Sequence, residues 1–135
     1  MSSIRKTITV DSSSSTQFAE ITSGVQSIVS ASGVEFGSCQ LFVPHTTAAI
    51  TLNENADAAV CRDLCYEFNR LSPQRASFEH LEGNSAAHVK ASLVGNSLLI
   101  FIENGKLMLG QWQGIYLAEF DGPRRREVWC KVISD

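Results

Sequence analysis

The 135-residue chain lacks a run of apolar residues long enough to cross a bilayer, which needs roughly 18 to 20. Its first residues, MSSIRKTITVDSSSS, lack the apolar core of a signal peptide. It has no Cys-x-x-Cys pair, so neither a zinc knuckle nor a dithiol redox motif is written into it. It has no excess of basic residues. Eleven Lys and Arg stand against fourteen Asp and Glu, for a net charge of -3, which argues against broad nucleic-acid binding. It has no internal repeat and no linker, and the short serine run at 12–15 cannot separate domains. These absences lead us to expect a single cytosolic domain over residues 1–135, with neither membrane nor nucleic acid as partner. A chain of this size buries roughly two thirds of its unfolded surface and needs no covalent staples. The four cysteines then read as small buried hydrophobes.

Alternation in residues 4–10 predicts a strand. From Thr16 to Ala31, Phe18, Ile21, Val25, Ile28 and Val29 fall at helical spacing, and Ser32-Gly33 ends that helix. Strands are expected at 34–43 and 48–52. A second helix is expected at 56–71, with Val60, Leu64, Phe68 and Leu71 on one face and Ser72-Pro73 as its stop. Asn84 or Ser85 caps a short third helix that runs to Val94 and closes at Gly95. Beyond it the pattern is all strand. SLLIFIE leads into Asn104-Gly105, a strong hairpin signal, and KLMLG, QGIYLAEF and REVWCKVI follow. The fold class is therefore α+β with mostly antiparallel sheet, two longer helices and one short one.

Histidine is scarce, with three in all, and its placement is uneven. His80 and His88 flank the Gly83-Asn84-Ser85 turn, and His45 lies in VPHTTAAITLNEN. The turn lets His80 and His88 face one point from two directions, beside the unpaired N–H groups of a helix N-terminus. Two imidazoles suit a zinc-like metal, and His45 would complete a three-histidine site with an open position. The same groups, with Lys90, suit phosphate equally well. Asn53-Glu54-Asn55-Ala56-Asp57 sits where strand passes into helix. Asn55 and Asp57 have a capping task, whereas Glu54 has none and is the better acid or base. Trp112, between glutamines and glycines, is either core or the wall of a pocket for a flat ring. Gly110 and Gly114 mark a bulge or a close backbone approach. In DGPRRR, Arg124 and Arg126 share a strand face, as charges guarding an edge strand or as a clamp for an anion.

Three blocks in this order, HTTAAITLNENAD, HLEGNSAAHVKASLVG and LGQWQGIYLAEFDGPRRR, resemble the YjbQ-like family, whose members are often described as secondary thiamine-phosphate synthases. The similarity runs over nearly the whole chain. The family's histidine in His-Thr-Ser/Thr-Ala matches His45. Its acidic stretch matches Asn53, Glu54, Asn55 and Asp57, with Asp63 further along. Its His-x-x-Glu-Gly-Asn-x-x-x-His matches His80, Glu82, Gly83, Asn84 and His88, followed by Lys90. Its glycine-tryptophan block matches Gly110, Trp112, Gln113 and Gly114, and its Gly-Pro-Arg matches Gly122, Pro123 and Arg124. Ala58 stands where proline is usual, Gln111 where threonine is usual, and Asn104-Gly105-Lys106 replaces a Gly-Arg-type turn.

The resemblance implies a two-sheet sandwich, a homotrimer, and a pocket near the subunit interface that takes a phosphorylated small molecule or a divalent metal, zinc or magnesium. Catalysis would fall to His45, Glu54, His80 and His88. Substrate binding would fall to Asn53, Asn84, Lys90, Trp112, Gln113 and Arg124, and metal ligation to the three histidines. The chemistry would be thiamine-phosphate synthase-like transfer. Zinc-dependent hydrolysis and non-catalytic binding of an anion or metabolite by a trimer remain as alternatives.

Overall fold

A computed structural model describes residues 3–135. Eight strands and three helices follow in the order β1 (Ser3–Asp11), β2 (Gln17–Glu20), α1 (Thr22–Ser32), β3 (Phe36–Phe42), β4 (Ala48–Glu54), α2 (Ala58–Leu71), α3 (Ser85–Val94), β5 (Ser97–Glu103), β6 (Lys106–Leu107), β7 (Gln113–Glu119) and β8 (Arg125–Ser134). The strands form two antiparallel sheets, ordered β1-β8-β3-β5-β6 and β2-β7-β4. No helix among the described residues is long and apolar enough to cross a membrane.

The small sheet lies between two apolar layers. Ile50, Ile115 and Leu117 join the core shared with the large sheet and with Val25 and Val29 of α1. The alternate residues Ala49, Tyr116 and Ala118 join a second cluster that Cys61, Leu64, Cys65 and Phe68 of α2 and Ala87 and Ala91 of α3 cover. A strand buried on both faces has no polar side to alternate with, which is why GIYLAEF reads as a continuous apolar run.

Several expectations need correction. The helix foreseen from Thr16 starts at Thr22 instead. Gln17–Glu20 is an edge strand whose backbone pairs with Tyr116–Glu119 of β7, and this pairing overrides a helical spacing that Phe18 satisfies only by coincidence. Within α2, Leu71 is solvent-exposed, while Cys61 and Cys65 reach the second cluster and are only half-buried. In KLMLG only Lys106–Leu107 pairs as strand. β8 lies between β1 and β3, so its arginines do not guard an edge. Asp57, rather than Asn55, caps α2, its carboxylate accepting the Ala59 N–H at 2.9 Å.

Candidate functional site

The chain leaves β3 at Phe42 and crosses to the small sheet through Val43-Pro44-His45-Thr46-Thr47. Val43 gives its N–H to Asn96, and Pro44 has none to give. Beyond Phe42, β8 has therefore lost β3 as a partner, although β1 continues on its other side. His45 fills the gap, its Nε2 accepting the Glu127 N–H at 2.8 Å. The imidazole substitutes for a strand carbonyl, and its orientation follows from that bond.

This bond also sets the ring's chemistry. A nitrogen that accepts a hydrogen bond carries no proton, so in the neutral ring the proton sits on Nδ1. Burial pushes the His45 pKa below its ordinary value, the nearby Arg126 guanidinium adds to this, and the acidic neighbours Glu127 and Glu119 oppose it without prevailing. His45 is thus a neutral imidazole at pH 7 whose Nδ1–H is the donor left over.

Across from it, α3 presents His88, Ala91 and Ser92, residues spaced to share one helix face. Gly95 and Asn96 continue that wall. Together with His45, Thr46 and Ala48 they enclose an open groove of about 520 Å³. His80 stands behind His88, with ring centroids 5.3 Å apart in an edge-on arrangement. The turn between them depends on Gly83, whose φ of 75° suits glycine, and the Gly83 N–H closes it onto the His80 carbonyl at 3.2 Å.

The remaining residues foreseen for the site lie elsewhere in a single chain. Asn53 and Glu54 end β4, and Gln113 pairs with Glu54 at the start of β7. The length of β4, about 20 Å, separates this end from the groove. Asn53 turns its carbonyl oxygen onto the Glu54 N–H, and Gln113 bonds the Gly110 N–H. Trp112 is 57% exposed, so it is not core. Gly114 is where backbone and side chains meet closely, because a Cβ there would lie 2.7 Å from Glu20 Oε2 and 2.9 Å from the Asn55 Cβ.

Lys90 and Asn84 face a different cavity, on the other side of α3. Arg124 is tied to Asp121, through its carbonyl at 2.8 Å and its carboxylate at 3.0 Å. The α3 N-terminus is not aimed at the histidines, since Gln74 takes the Ala86 N–H and the Asn84 carbonyl takes those of Ala87 and His88.

Zinc at three histidines needs a free nitrogen lone pair on each ring. His45 gives its lone pair to Glu127 and keeps a proton on the other nitrogen. Among the described residues, no group of three His, Cys, Asp or Glu side chains converges at metal-holding distance. The donor set of a single chain does not fit a three-histidine zinc centre.

The sequence reading missed the device that holds the His45 loop. Arg126 and Glu119 pair inside the protein, and Arg126 Nη2, one of the two nitrogens that hold the carboxylate, also bonds the Thr47 hydroxyl at 2.8 Å and its carbonyl at 3.3 Å. A glutamate inside GIYLAEF was the available signal, since a carboxylate in a strand buried on both faces needs a buried cation.

With this geometry in place, comparison with known proteins is decisive. The sequence profile of the family described as UPF0047 protein YjbQ-like matches residues 6–135. The chain belongs to that family. A UPF0047 protein of Methanocaldococcus jannaschii is 52% identical over 119 residues, covering 88% of this chain and 86% of the relative. The protein YugU of Bacillus subtilis is 42% identical, covering 96% and 98%. A crystal structure of a family member from Clostridium acetobutylicum superposes with a TM-score of 0.92 at 51% identity, over 95% of this chain and 99% of that one. A structure from Sulfolobus solfataricus, described as a protein of unknown function, gives 0.94 at 31% identity, covering 99% of both chains. The α+β fold with two antiparallel sheets and three helices is the fold of this family.

Proposed function

We propose that the groove between His45 and His88 binds a phosphorylated small molecule and donates hydrogen bonds to it. One observation carries this. A neutral His45, fixed by its bond to Glu127, shares a 520 Å³ groove with His88, which in turn stacks edge-on against His80. Donors held in place ahead of reaction are the arrangement that stabilises a departing oxyanion.

In the form the family resemblance suggests, the substrates would be a pyrimidine methyl diphosphate and a thiazole phosphate. The bond between the methylene carbon and the diphosphate oxygen would break, its electron pair leaving with pyrophosphate. The thiazole nitrogen would then attack the pyrimidine cation to form the new carbon–nitrogen bond. His45 Nδ1–H and the His88 ring would hold the leaving pyrophosphate. Asn53, Glu54, Trp112 and Gln113 lie too far off to help within one chain. They would take part only in a homotrimer that brings this end of one subunit to the groove of the next.

The test is pyrophosphate release by purified protein, beside His45→Gln and His88→Gln, with binding of a phosphate monoester followed by 31P NMR. Ester binding that either variant weakens tenfold or more supports the groove. Absence of release at high protein concentration sinks the transfer, and absence of ester binding sinks the groove as an anion site.

A further inference from the structure

The face of α3 opposite His88 borders a second cavity, of about 340 Å³, which shares no residue with the histidine groove. Asn69, Lys90, Asn84, Asp121 and Phe120 are in its wall. Lys90 is the unusual member. It is only 6% exposed, yet no carboxylate pairs with it among the described residues. Its hydrogen bond goes to the neutral Asn69 Oδ1 at 2.6 Å, an oxygen that also accepts from Thr16. An ammonium has three N–H donors, so two are left over. Burial alone lowers its pKa, with no counter-charge to restore it.

The acid in the same wall is already committed. The Asp121 carboxylate accepts from Asn84 Nδ2 at 2.9 Å and from Arg124 at 3.0 Å. Asn84 Oδ1, by contrast, is buried with no partner at all. Summed over Lys90, Asp121 and Arg124, the cavity carries one positive charge in excess. Buried charges are normally paired, because an unpaired one forfeits its hydration without recompense. The ligand that restores balance is a monoanion, and a dianionic phosphate would overshoot and press against Asp121. Phe120, Pro73, Ala86 and Ala87 give the wall apolar stretches, while Asn69 and Gln74 offer amides. At about 30 Å³ for each water-sized group, the volume suits a molecule of about ten heavy atoms.

We propose that this cavity is a binding site for a small organic carboxylate, held by the Lys90 ammonium and separate from the histidine groove. It does not depend on the function proposed for that groove. Lysine Cε–Hε and histidine ring signals of the wild-type protein are followed by NMR during titration with acetate, glycolate and inorganic phosphate at pH 8. The expected result is a saturable shift at Lys90 with acetate or glycolate, with His45 and His88 unmoved and phosphate binding more weakly. Lys90→Met weakens carboxylate binding by roughly tenfold or more, equivalent to about 1.4 kcal/mol. The wild-type titration decides the matter even where that variant fails to fold. No saturable shift at Lys90, a shift at His88 alone, tighter binding of phosphate, or unchanged affinity in a folded Lys90→Met overturns it.

Discussion

Arg126 and Glu119 pair with each other inside the protein, Nη2 donating to Oε2 at 2.6 Å and Nε to Oε1 at 2.8 Å. Both side chains are closed to solvent, and Ser12 adds a third donor to the carboxylate at 2.7 Å. The pair joins the last two strands to the loop that carries His45. Glu119→Ala would strand a guanidinium without its counter-charge and is expected to cost about 3–5 kcal/mol in urea denaturation. A loss below 1 kcal/mol would show that water reaches the arginine.

Burial by itself would raise the Glu119 pKa, but Arg126, the Asp121 N–H and Ser12 outweigh it, and the net displacement is below the ordinary value of 4.5. A depressed carboxylate contributes stability that is fully present above its unfolded-state pKa and is lost as pH falls through the folded one. The urea midpoint should therefore hold near and above pH 4.5 and decline below it. Glu119→Gln should show a shallower decline, and an identical acid limb in both proteins would contradict this.

For His45 the depressed pKa favours the neutral ring. Its contribution to stability is complete above the unfolded value of 6.5 and fades as pH falls below it, because the unfolded chain takes up the proton first. Two-dimensional 1H–15N NMR at pH 7 should show the tautomer protonated on Nδ1. A ring protonated on Nε2 would break the assignment of its bond to Glu127.

Two glycines make opposite forecasts. In α1, a Cβ at Gly24 would meet nothing nearer than Ile8 Cδ1 at 4.0 Å, so Gly24→Ala should stabilise by about 0.5–1 kcal/mol. In β3, a Cβ at Gly37 would sit 2.0 Å from the Ile133 carbonyl oxygen, a backbone atom that cannot swing away. Gly37→Ala should cost about 1–3 kcal/mol or more. Thermal melts of the two variants, shifted in opposite directions, are the check.

Asp57 belongs to the family's acidic stretch, yet in the structure its carboxylate caps α2. Asp57→Ala should lower stability by about 1 kcal/mol and leave ligand binding in the histidine groove as it was. A folded variant that has lost groove binding would reassign the residue.

The fold was legible wherever local chemistry agreed with tertiary demand. Gly33 and Gly95 ended their helices, the hairpin fell at Asn104-Gly105, and the strands came in the foreseen order. The reading failed at Gln17–Glu20, where Phe18 serves a helical period as well as it serves a strand and only the open edge of β7 chooses between them. Scarcity led us to expect all three histidines at one point; His45 and His88 line one groove, and His80 stands behind His88. The settings of Lys90 and Arg126 were missed: helical spacing already turns Lys90 away from His88, whereas no spacing shows that Arg126 is driven inside against Glu119. Lys90 lies two positions from His88, roughly 200° around the helix, and so belongs to another cavity.

β1 and β8 pair along nine consecutive residues, and β8 also carries β3 on its other side. The large sheet is thus seamed by β8, without which β1 has no ladder and β3 keeps only its pairing with β5. β1 comes first in the chain order of the strands and stays unpaired until β8 has been made. Ladders of such long sequence separation close slowly, because their loop entropy is lost before contacts compensate. Removal of β8 would therefore release β1, strip β3 of one of its two partners, and take away the Glu127 N–H that holds His45 in the groove.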